Sequence, residues 1–62
     1  MALKVNEVAQ DLGVTADMVY REIRAGNLKA FRVGSRTIRI RPEDLQDYKD
    51  KQMVTVEMME EL

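Results

Sequence analysis

The chain has 62 residues, ten Lys and Arg against eleven Asp and Glu, and a formal net charge of −1. That is one small domain, near the lower size at which an unaided core is stable. Neither Cys nor His occurs, which excludes a disulfide framework and argues against a structural zinc site, and no segment is apolar enough for a secretory leader or a membrane span, so a cytoplasmic location is expected.

Along the chain, Val5, Val8, Ala9 and Leu12 fall at i, i+3, i+4 and i+7, one stripe of a short helix. Gly13 is suited to stop it in a left-handed conformation. Thr15 follows as an N-cap, with Asp17 in the first turn of a second helix. Val14 and Val19 occupy the two ends of a hydrophobic staple. Val19 and Ile23 continue the buried stripe, and Gly26-Asn27 ends the helix. Two helices joined by three residues around a glycine form a tight corner, a helix-turn-helix. The competing reading is a plain helical hairpin packed on something else.

After Asn27 the period changes from 3.6 to 2. Phe31 and Val33 alternate with Ala30 and Arg32, and Ile38 and Ile40 with Thr37, Arg39 and Arg41. Gly34-Ser35-Arg36 makes the turn of a β-hairpin with one apolar face. With the isoleucines inward, Arg39 and Arg41 are expected to point outward together with Arg32, and Arg36 stands at the tip. Pro42 fits the first position of a third helix, Glu43 and Asp44 its first turn, and Leu45 and Tyr48 its buried stripe.

Charge is distributed unevenly over these elements. Between Met18 and Arg41 seven cations stand beside one acid, Glu22, whereas Pro42 to Leu62 holds seven acids and two cations. A basic hairpin flanking a helix-turn-helix, with an acidic remainder, reads as a polyanion-binding wing rather than a solvated strand. The fold class expected is therefore α+β, a small winged helix-turn-helix over residues 1–52. Residues 53–62 form an acidic, Met-rich tail that suits a partner, an extension of the third helix or a disordered end.

Residues 3–48, "LKVNEVAQDLGVTADMVYREIRAGNLKAFRVGSRTIRIRPEDLQDY", resemble the excisionase-type DNA-binding domain, a compact relative of the MerR-like winged helices. The matching pieces are Glu7 to Ala9, Leu12 to Thr15, Val19 to Ile23, Ala25-Gly26, Leu28 to Gly34, Arg36, Arg39-Ile40 and Asp44-Leu45. The resemblance implies double-stranded DNA binding without catalysis, the second helix in the major groove and the wing in the adjacent minor groove. It departs from the pattern at Ala16 and Asp17, where relatives often place Arg, Ser or Thr, and at Lys4, where they cap with Thr or Ser.

On the second helix the expected DNA-contacting positions are Thr15, Ala16, Asp17, Tyr20, Arg21 and Arg24. Arg21 is the candidate base reader, because a guanidinium fork matches guanine O6 and N7. Tyr20 suits a phosphate, or packing at the edge of the wing; Arg24 suits the backbone. Asp17 repels phosphate and selects against wrong bases, unless it only stabilises the helix start. On the wing the candidates are Lys29, Arg32, Ser35, Arg36, Thr37, Arg39 and Arg41. Arg36 is expected to enter a narrow A·T-rich minor groove, and the others to position the duplex through phosphates.

A single small domain contacts few base pairs, so cooperative binding to repeated sites with DNA bending is expected, assisted by self-association on DNA and an integrase or recombinase partner. A transcriptional regulator of a prophage is the near alternative, and an antitoxin-like or adaptor module with an acidic protein partner the distant one. Catalysis has no evident nucleophile–base pair, and no cofactor, metal or membrane is implied.

Overall fold

Helix α1 (Val5–Leu12) forms where the apolar spacing places it and buries Val5, Val8 and Ala9. In the computed structural model, which describes residues 1–54, it is followed by α2 (Ala16–Arg24), the hairpin strands β2 (Phe31–Val33) and β3 (Thr37–Ile40), and α3 (Pro42–Lys51). A two-residue strand, β1 (Leu3–Lys4), precedes α1; two residues carry no periodicity, so the sequence pattern does not announce it.

The corner closes through Gly13, whose φ is +70°. The Val14 N–H donates to the Ala9 carbonyl at 2.9 Å and the Gly13 N–H to that of Gln10 at 3.2 Å. This pair of bonds satisfies the last carbonyls of α1 and needs a left-handed residue between them. Thr15 caps α2 by accepting the Met18 N–H on Oγ1 at 3.2 Å. Val14 stays 40% exposed while Val19 is 1% exposed, so the core rather than the expected staple is what buries Val19. α2 ends as α1 does, with Gly26 at φ +83° and the Asn27 N–H donating to the Glu22 carbonyl at 3.0 Å.

The three strands are antiparallel in the order β1-β3-β2. The pairs Leu3 with Ile40 and Lys4 with Arg39 join β1 to β3; Phe31 with Arg39, Arg32 with Ile38 and Val33 with Thr37 join β2 to β3. Residues directly opposite share a face of the sheet. Ile40 is fully buried and Ile38 packs on the core, so Arg32 lies on the core-facing side, and Phe31 and Val33 lie on the outer side with Arg39. This corrects the expected apolar face: Phe31 is 40% and Val33 52% exposed. It also separates Arg32 from Arg39. Arg32 is nonetheless exposed and borders a cleft with Ile23, Ala30, Phe31 and Ile38.

The place expected for Phe31 is filled from the linker. Leu28, between α2 and β2, is 2% exposed and joins Val8, Val19, Ile40 and Leu45 in the core. Ala30 and Leu3 pack around it.

Helix α3 starts with Pro42 at its first position and Arg41 as N-cap, buries Leu45, and is tied to both earlier helices. The Tyr48 hydroxyl donates to Glu22 Oε1 of α2 at 2.6 Å, and Lys49 Nζ stands 2.6 Å from Asp11 Oδ2 of α1. The Tyr48 hydroxyl, with help from the Asn27 amide, holds the Glu22 carboxyl below its ordinary range, and the same bond, with burial, raises the Tyr48 phenol. The two groups act at opposite ends of the pH scale. Glu22 stabilises the fold above its unfolded pKa, and that contribution is lost as pH falls through the lower folded value. Tyr48 contributes below its unfolded pKa and is lost as pH rises through the higher folded one. Tyr48→Phe should lower the melting temperature by a few degrees at neutral pH and flatten both limbs of a stability–pH curve recorded by circular dichroism. A variant that keeps the parent's alkaline limb would show that this bond does not link α3 to α2.

Of the expected tail over residues 53–62, only Met53 and Val54 are among the described residues, both exposed; the rest of that expectation lies outside them.

Candidate nucleic-acid interface

Burying Val19 and packing Ile23 on the core turns the opposite side of α2 to solvent, and that side presents Asp17, Tyr20, Arg21 and Arg24. Thr15 is exposed at the helix start, its Oγ1 engaged as the cap. Ala16 departs from the expected exposure: it is half-buried and packs against the core, because it lies one turn before Val19 at the edge of the inward stripe. The wing exposes Ser35 and Arg36 in its turn and Thr37 at the start of β3. Lys29 is exposed ahead of β2. Arg39 is half-buried, its guanidinium donating to the Ile38 carbonyl at 3.0 Å.

Arg41 is not a free cation of the wing. Its guanidinium grips Asp44 with two bonds, Nε to Oδ2 at 2.6 Å and Nη2 to Oδ1 at 3.0 Å. The paired charge holds the Asp44 carboxyl below its ordinary range and raises the guanidinium further. Alternation along β3 suggested an outward strand residue, but the strand ends at Ile40 and Arg41 serves as N-cap of α3, one turn from a first-turn acid. Arg41 thus differs from the other wing cations in already holding a carboxylate.

The ion pairs divide the molecule. Among the described residues they are Arg41 with Asp44, Lys49 with Asp11 and Lys51 with Asp47, and each takes at least one partner from α3 or its cap. Lys4, Arg21, Arg24, Lys29, Arg32, Arg36 and Arg39 have no carboxylate within pairing distance among those residues. Glu22, the only acid between Met18 and Arg41, is engaged by the Tyr48 hydroxyl and the Asn27 amide. The side carrying α3 thus holds its cations in ion pairs and is acidic overall, while the cations of α2 and the wing are left without a paired carboxylate among the described residues.

A groove runs between these two reading elements. Tyr20 of α2 lines it on one side, Arg36, Thr37 and Arg39 of the wing on the other, and Lys4 and Asn6 close its end. Lys4 is absent from the site expected from sequence. The only signal for it would have been the pairing of β1, which a two-residue strand does not display. No group of three or more acidic side chains is close enough to hold a metal ion among the described residues, and no helix among them is long and apolar enough to cross a membrane.

Two helices at a glycine corner, a β-hairpin flanking the second, and a third helix behind define a small winged helix-turn-helix, a DNA-binding architecture. A family model described as a helix-turn-helix domain matches residues 2–53. The chain belongs to that family, the excisionase-like kind of helix-turn-helix. No curated protein matches it.

Proposed function

We propose that the protein is a non-catalytic DNA-binding factor of the MerR-like type that acts as an excisionase, placing α2 in the major groove and the hairpin wing in the adjacent minor groove. The observation that carries this reading is the segregation of charge: every ion pair among the described residues involves α3 or its cap, while Arg21, Arg24 and Arg36 are left unpaired. Within the site, Arg21 reads base edges, Arg36 enters the minor groove, and Tyr20, Arg24, Lys29, Arg32 and Arg39 hold phosphates. A domain of this size reads too few base pairs for strong specificity alone. Binding therefore proceeds cooperatively on repeated sites, bends the duplex, and prepares it for an integrase-type recombinase.

Footprinting on the genomic DNA flanking the gene, followed by an excision assay with an integrase encoded beside it, tests the proposal. Protection of repeated sites with integrase-dependent excision is the expected result. Protection and bending without any effect on excision would make the protein a transcriptional regulator instead. An absence of binding to any duplex at low salt would remove the DNA reading altogether.

Arg36→Ala separates function from stability. The side chain lies at an exposed turn, so the melting temperature should hold, while affinity falls by about 1 kcal/mol, roughly fivefold, and preference for A·T beside the major-groove contact disappears. Unchanged affinity across salt concentrations would take Arg36 out of the interface.

A further inference from the structure

We infer that the groove between Tyr20 and the wing is a seat for one backbone phosphate of the duplex, and that Lys4 is its added cation. The inference rests on the DNA-binding reading above and deepens it. A protein that spans from a major groove to the neighbouring minor groove must straddle the sugar–phosphate strand that divides them. The surface between its two reading elements faces that strand, and here this surface is the groove lined by Tyr20, Arg36, Thr37 and Arg39 and closed by Lys4.

The chemistry of the groove fits a phosphodiester. Among the described residues three cationic side chains and no carboxylate line it, and Lys4, Arg36 and Arg39 form no ion pair there. Like charges gathered without a counter-charge repel one another, and an anion seated among them relieves that repulsion. Tyr20 and Thr37 add hydroxyl donors for phosphate oxygens. Glu7, the nearest acid in sequence, accepts the Lys4 backbone N–H at 2.8 Å but borders a different cleft, with Leu3 and Asp11.

Tertiary structure, not sequence distance, assembles this seat. Lys4 lies 35 positions from Arg39 in the chain and directly opposite it in the sheet. Its backbone serves β1 and the start of α1, and its side chain donates no hydrogen bond among the described residues. The side chain is therefore available to a ligand, and its removal leaves the fold's own bonds in place.

The test is a salt titration of binding to a random-sequence duplex, read by fluorescence anisotropy, for the parent, Lys4→Met, Lys4→Arg and Lys51→Met. Lys51 pairs with Asp47 in the last turn of α3, beside the Lys49 contact to the far end of α1, so its loss changes net charge equally but away from the groove. Each phosphate contact contributes about 0.9 to the slope of log K against log[salt]. Lys4→Met should flatten the slope by about that amount and weaken binding several-fold near 0.1 M salt, a typical screening condition for about a 10 Å Debye length. Lys4→Arg should restore most of both, and Lys51→Met should leave the slope unchanged. A parental slope in Lys4→Met, or an equal loss in Lys51→Met, overturns the phosphate seat while leaving the DNA reading intact. A parent that binds no duplex overturns both.

Discussion

Leu28→Ala is expected to remove a large share of the domain's stability and to lower its melting temperature steeply. Leu28 is 2% exposed, among the largest side chains that are almost fully buried, and it joins residues of α1, α2, β3 and α3 in one cluster. Truncating a leucine in such a site costs about 2–5 kcal/mol, from lost burial and the cavity left behind. A domain of this length has a total stability of about 3–9 kcal/mol at the usual per-residue range, so a single methyl-rich side chain accounts for a large share of it. Leu28→Met, which keeps volume, should cost less than about 1.5 kcal/mol. Urea unfolding followed by circular dichroism measures both. If Leu28→Ala melts like the parent, Leu28 is not the plug between hairpin and helices.

Arg21→Ala is expected to leave folding untouched and to remove sequence discrimination. The side chain is exposed on α2 and unpaired among the described residues. Losing a bidentate contact to guanine costs about 1–3 kcal/mol on the preferred site and little on random DNA. Asp17→Ala should act in the opposite direction: it removes a like-charge penalty against phosphate, so affinity for random duplex rises. It should also relax the preference at one base position if the carboxylate reads a cytosine amino group. The competing account is that Asp17, in the first turn of α2, only favours the helix start through the dipole. Then the variant is slightly less stable and binds all duplexes alike. Matched specific and random duplexes distinguish these outcomes, and equal losses on both for Arg21→Ala would make Arg21 a phosphate contact.

The expected site was legible where one residue's fate depends on its own helix. Tyr20, Arg21 and Arg24 are exposed because Val19 and Ile23 take the inward positions a few residues away. The hairpin was legible only in outline. Its strands and its turn at Gly34, Ser35 and Arg36 appear as expected, but alternation states which residues share a face and not which face meets the core. Pairing Arg32 with Ile38 settles that choice, and shifting the pairing by one residue would have reversed it. Phe31 and Val33 thus went to the outer side, although both are apolar.

What the sequence determined by itself are the local features: the stripes of α1 and α2, the glycine corner, the Thr15 cap and the Pro42 start of α3. Each follows from backbone sterics or a period read within a few residues, so neighbouring side chains suffice to specify it. Only the tertiary structure decided the burial of Leu28, the pairing of Lys4 with Arg39, and the division between paired and unpaired cations. Those depend on residues far apart in the chain: Tyr48 reaching Glu22, Lys49 reaching Asp11, β1 lying along β3. Even Arg41 and Asp44, only three residues apart, become a pair because β3 stops at Ile40 and the chain turns there into α3. Charge and hydropathy along a chain tell which groups are available, but their partners are set by the packing that brings distant segments into contact.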